Sequence, residues 1–216
     1  MRKSLLLLAV VVQLAIAQTS SPPDFMRGVP MPKAGEIITT PFAALPKETQ
    51  RILTQDQHVT ADGVRVLQST EAHVHLLDKA LSLAVSKGPD NMPMDRVTAF
   101  ARWQFLGYVL DGPETHRVNR LWRDNQGRLV MLTEWDYKAT GGGVHRFAEF
   151  LTERVRGEPA ALALSRAPQS SSALWKLGWT TGEKDYELYV AEPQLADADI
   201  NVHRQIVLSY ANAIGE

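Results

Sequence analysis

Two imidazoles one residue apart, His73 and His75, sit close to Glu71 and Asp78. On a strand such a pair shares a face and could hold a transition metal, with a carboxylate as third ligand. On a helix the two side chains diverge by about 200°. Val74, Leu77, Leu81 and Ala84 recur at helical spacing around them, so a helix is expected and no metal site is assigned. A second pair, Glu134 and Asp136, would share one face of a strand. Two carboxyls that close can separate their pKa values and serve as acid and base. The expectation is instead a solvated face, with Arg123 and Arg128 across the turn as partners. Aromatic chemistry is a third possibility, because a flat ring with a polar handle can stack on a sugar or an apolar ligand. Strand alternation assigns Trp135, Trp175 and Trp179 to the core, and Trp103 is kept as a candidate ligand-facing ring.

Known catalytic signatures are missing. The chain has no serine-hydrolase elbow, Walker loop, dinucleotide fingerprint, EF-hand loop or H-E-x-x-H. With no cysteine it has neither a thiol nucleophile nor a Cys-type zinc site. No cofactor is assigned.

The elements that must position these residues are read from periodicity. Val97 to Tyr137 is expected to form three antiparallel strands, broken at Asp111-Gly112-Pro113 and at Asp124-Asn125-Gln126-Gly127. The last run puts Leu129, Met131, Thr133, Trp135 and Tyr137 on the side taken as the core face. Val97, Phe100, Ala101, Phe105 and Tyr108 would also suit a helix, so the first strand is the less defined of the three. A helix is expected over Thr70–Lys87, another over Val144–Arg156 on the stripe Val144, Phe147, Ala148, Leu151 and Val155, and a third from Asp197 to Ile214. Gly141 to Gly143 precede the second helix as a flexible loop, and Gly157 and Pro159 stop it. Strands follow at Ala160–Ser165, Ala173–Thr180 and Asp185–Ala191. In the last two, Trp175, Leu177 and Trp179 meet Tyr186, Leu188 and Val190 across a hairpin. Nearer the start, Pro46–Gln55 suits a short helix, His58–Leu67 a small hairpin, and Glu36–Thr39 a short strand.

The fold class is therefore α+β: antiparallel sheet in the order α-βββ-α-βββ-α, with helices packed on one face. Val-His-Arg occurs at Val144-His145-Arg146 and again at Val202-His203-Arg204. No repeat follows from it, because Phe147 and Leu151 would align with Gln205 and Ser209.

Three segments divide the chain. Met1 to Ala17 has a basic start, a short apolar run and Ala15-Ile16-Ala17, the pattern of a signal peptide cut after Ala17. Residues 18–46 carry Pro22, Pro23, Pro30, Pro32, Pro41 and Pro46 and read as an extended leader. Residues 47–216 form one α+β domain. Loss of Arg2 and Lys3 would move the formal charge from −1 to about −3, which offers no footprint for nucleic acid or an anionic membrane. No membrane span is expected after cleavage. The expected product is exported to a periplasm or the medium and binds a small ligand or a protein without catalysis, in a cleft between helices and sheet. Two alternatives are a small exported hydrolase, dependent on metal or carboxylates, and a chaperone-like assembly factor.

Overall fold

Strand alternation near the C-terminus sets the centre of the fold. In the computed structural model, which describes residues 14–16, 26–86, 100–110 and 116–214, twelve strands and four helices are described. The strands are β1 (Leu14–Ile16), β2 (Ile37–Thr40), β3 (Gln57–Val59), β4 (Arg65–Gln68), β5 (Gln104–Leu110), β6 (Arg117–Arg123), β7 (Leu129–Trp135), β8 (Gly143–Phe147), β9 (Glu153–Val155), β10 (Glu158–Arg166), β11 (Ala173–Thr180) and β12 (Asp185–Glu192). The helices are α1 (Lys47–Thr54), α2 (Glu71–Val74), α3 (Leu76–Leu83) and α4 (Ile200–Ala213). The main sheet runs β3-β4-β10-β11-β12-β7-β6-β5, with β9 beside β10. The β11–β12 hairpin has the expected register: Trp175 faces Val190, Leu177 faces Leu188 and Trp179 faces Tyr186. The last two rings stack at 5.1 Å.

The class is α+β with mostly sheet, but the sheets are mixed rather than antiparallel. β4 runs parallel to β10, and in the small sheet β1-β8-β2 the pair β2–β8 is also parallel. The helices do not share one face. α4 contributes Val207 and Ala211 to a core with Leu132, Leu188 and Trp175. Opposite, Leu77 of α3 packs on Leu121, Met131 and Tyr189. Both sides of β7 are consequently buried, and the main core lies against Val130 and Leu132, not against the side carrying Trp135.

The expected helix over 144–156 is absent. β8 occupies 143–147, a 3-10 turn 148–150 and β9 153–155. All five residues of β8 are buried, so the strand shows no polar alternation. Arg156 and Gly157 both have positive φ, at 51° and 89°, and join β9 to β10 as a two-residue hairpin turn. Gly157 therefore turns a hairpin and does not end a helix. The glycine run upstream serves close packing: a Cβ on Gly142 would stand 2.6 Å from the Trp135 ring.

The helix expected over 70–87 is two short ones, capped by the Thr70 hydroxyl accepting from the His73 amide; Lys87 lies outside the described residues. In the run read as the first strand of the meander, regular pairing begins at Gln104, and residues 97–99 are outside the described ones. Residues 26–46, read as part of an extended leader, pack onto the domain. Met26, Val29 and Leu45 are buried with Phe147 and Phe150. The signal-peptide reading falls on residues outside the described ones, apart from β1, which pairs with β8. Among the described residues no helix is long and apolar enough to cross a membrane.

Candidate functional site

The five residues singled out from sequence lie in separate places. His73 and His75 diverge as a helix requires. His73 is half-buried, and burial, with the Lys176 charge, holds its imidazole below the ordinary range. His75 is exposed and its Nδ1 donates to Asp78 Oδ2 at 2.9 Å, with Glu71 at 3.6 Å from Nε2. Among the described residues no three His, Asp or Glu side chains are grouped as a metal site. Glu134 and Asp136 are also apart. Glu134 is mostly buried between Arg120, at 2.8 Å, and Lys184. Burial raises its pKa, but those two cations outweigh it and hold it below the usual carboxylate range. Asp136 lies past the end of β7 and accepts from the Ala139 amide at 2.9 Å. The partners expected from sequence, Arg123 and Arg128, serve elsewhere. Trp103 stacks on Phe100 at 4.1 Å and meets Tyr210 edge-on at 4.6 Å, over the main core.

The paired carboxylates sought at Glu134 and Asp136 occur instead on β12. Asp185, Glu187 and Tyr189 alternate onto the face opposite Tyr186 and Leu188. Lys176 of β11 stands across from Tyr189 and reaches Glu187 at 2.5 Å. The Tyr189 hydroxyl donates to the other Glu187 oxygen at 2.9 Å, and Arg117 approaches it to 3.8 Å. Burial pushes the Glu187 carboxyl up, but Lys176 and Arg117 outweigh it and keep it ionised. Asp185 fares differently. Burial and the Glu187 charge push it up to about 7, against the Thr180 hydroxyl, Lys176 and Arg146. Two carboxyls two residues apart are thus held in different protonation states near neutrality. The sequence does carry the signal, two acids two positions apart on a strand that faces a lysine. Acids on a strand usually mark solvent, and here they are closed in.

This polar row leads along β12 to Ala191, where a cavity of about 220 Å³ opens between α2–α3 and the sheet. Its apolar part is Val74, Leu77, Leu129 and Ala191; its polar part includes His75, Asp78, Arg123 and Ser172. α2 and α3 supply one wall because Val74 and Leu77 turn inward, at 2% and 1% exposure, while His75 and Asp78 stay at the mouth. Arg123, the last residue of β6, donates to the Gly127 carbonyl at 3.0 Å. The Ser172 hydroxyl donates to the Pro193 carbonyl at 3.0 Å and so is not aimed at His75.

Behind the sheet, on the side of α4, a second charged group fixes the strand ends. Arg128 donates to Asp124 at 2.7 Å, to Glu192 at 3.1 Å and to the Tyr210 hydroxyl. His203 of α4 donates to the same Glu192 oxygen at 2.7 Å. Glu192 and its neighbour Ala191 both line the cavity, and the Glu192 carboxylate is spent in this clasp on Arg128 and His203. No family model, curated protein or solved structure matches the chain.

Proposed function

We propose that the protein is an exported domain that binds a small ligand in the cavity between α2–α3 and the sheet, without catalysing its conversion. The observation that carries this reading is the form of the cavity. An apolar floor with a few polar groups gathered at the mouth is the usual build of a small-molecule site. Its volume of about 220 Å³ exceeds the roughly 150 Å³ that already admits benzene in an engineered void. His75 and Asp78 at the mouth pair with each other, but the Ser172 hydroxyl donates to the Pro193 carbonyl, so the three form no relay. Export rests on the basic start, the apolar run and the Ala15-Ile16-Ala17 site of Met1–Ala17.

The test is a ¹H–¹⁵N NMR titration of the purified chain with small amphipathic fragments. Shifts are expected at Val74, Leu77, Leu129 and Ala191. Ala191→Leu, which fills the floor, should abolish them. Shifts scattered over the surface, or unchanged in that variant, would remove the cavity from consideration. For export, expression in a bacterial host with its own secretion machinery should yield a product starting at Gln18; an unprocessed cytoplasmic product would refute that part.

A carboxylate-dependent hydrolase is the second reading, favoured by the Asp185–Glu187 pair. The two groups are only 3% and 6% exposed, which places it behind the first. Turnover of an ester or glycoside panel, lost in Asp185→Asn with the fold intact, would reverse the order.

A further inference from the structure

We infer that the ligand of this cavity is a zwitterion with an apolar side chain: a free α-amino acid of about the size of leucine. The inference rests on the cavity being a ligand site at all, and it comes from the charges at the mouth. Arg123 ends β6 beside Leu129 of the floor. Among the described residues its one hydrogen bond goes to a backbone carbonyl, and no acid pairs with it. Its planar fork therefore keeps donors available, and a carboxylate is the anion that matches them two by two. Asp78 projects from the other wall. One of its oxygens accepts from His75, and the ion pairs among the described residues give it no lysine or arginine. It is a site for an ammonium group, which brings three donors and no acceptor.

Glu192 also lines the hollow but is spent on Arg128 and His203, which leaves Arg123 and Asp78 as the cation and the anion open to a ligand at its rim. A ligand carrying only a carboxylate would meet Asp78 as a like charge, and one carrying only an amine would meet Arg123 as a like charge. Such juxtapositions select against the wrong partner as well as for the right one. A ligand bearing both charges on one carbon satisfies both and leaves its side chain to Val74, Leu77, Leu129 and Ala191. The volume of about 220 Å³ accommodates a branched side chain of four carbons and leaves little room for a second residue.

Isothermal titration calorimetry of the whole chain separates the contributions. The probes are L-leucine, 4-methylpentanoate (no amine), 3-methylbutylamine (no carboxylate) and glycine (no side chain). Leucine is expected to bind at least about tenfold more tightly than each of the other three. Arg123→Gln should weaken leucine and spare 3-methylbutylamine, and Asp78→Asn should weaken leucine and spare 4-methylpentanoate. Both residues are at the mouth, so the variants keep the core. If a truncated probe binds as well as leucine and Ala191→Leu still blocks it, the zwitterion inference fails and the cavity stands as a ligand site. If none of the four binds at about 10 mM and the fragment titration is also silent, both fail together.

Discussion

Replacing Asp185 by asparagine removes one charge from the most enclosed polar row of the sheet. An amide oxygen remains to accept the Thr180 hydroxyl, now 2.6 Å from the carboxylate. Asp185 is 3% exposed, and burial with the neighbouring Glu187 charge pushes it from 3.8 up to about 7. Each unit of separation corresponds to about 1.4 kcal/mol, so ionised Asp185 opposes folding by about 4 kcal/mol. The native state binds the proton more tightly than the unfolded chain does. The penalty is therefore absent below the unfolded value near 3.8, grows as pH rises, and is complete above about 7. Between pH 5 and pH 8 it increases by about 2.5 kcal/mol. Urea unfolding followed by tryptophan fluorescence, at pH 5, 6, 7 and 8, measures it directly. Asp185→Asn should be more stable than the parent at pH 8, and the gap should shrink by about 2.5 kcal/mol at pH 5. Parallel stability curves, or a gap that widens on acidification, would refute the reasoning.

Three other outcomes are expected. His145 is fully buried, and burial holds its imidazole down at about 4, so its neutral form supports the fold above about 6.5 and that support fades as pH falls. Between pH 8 and pH 5 the loss is about 2 kcal/mol, opposite in sign to Asp185, and His145→Gln should flatten it in the same urea series. Glu134→Gln leaves Arg120, 3% exposed, without its charge partner and should cost about 3 kcal/mol in urea, with partial recovery when Arg120→Met is added. Gly142→Ala places a methyl carbon 2.6 Å from the Trp135 ring and should cost about 2 kcal/mol, read as a fall in Tm with a change in near-UV circular dichroism.

How much was legible in the sequence depended on whether burial left a pattern. The β11–β12 hairpin could be read to the register, because Trp175, Leu177 and Trp179 alternate with smaller or polar residues. β8 could not, because a strand covered on both sides has no polar phase to betray it, and its apolar residues fell by coincidence at helical spacing with those of the next turn and β9. The parallel pairings left no trace either, since they join residues far apart in sequence. Of the candidate site, His75 and Asp78 were named from the sequence and do line the cavity. Arg123 was taken for a partner of Glu134, because pairing across a turn is the local guess and the tertiary one needs the sheet. Asp185 and Glu187 went unnoticed because a lysine one strand away, not water, surrounds them.

β4 pairs with β3 close by in the chain, but its other edge has no neighbour until Leu164, Ser165 and Arg166 arrive to take up Val66, Leu67 and Gln68. Nearly a hundred residues separate the two sides of that seam. A chain emerging from a ribosome must therefore carry its early hairpin with that edge open until residue 166 has followed. Assembly of the sheet is then a late, concerted event.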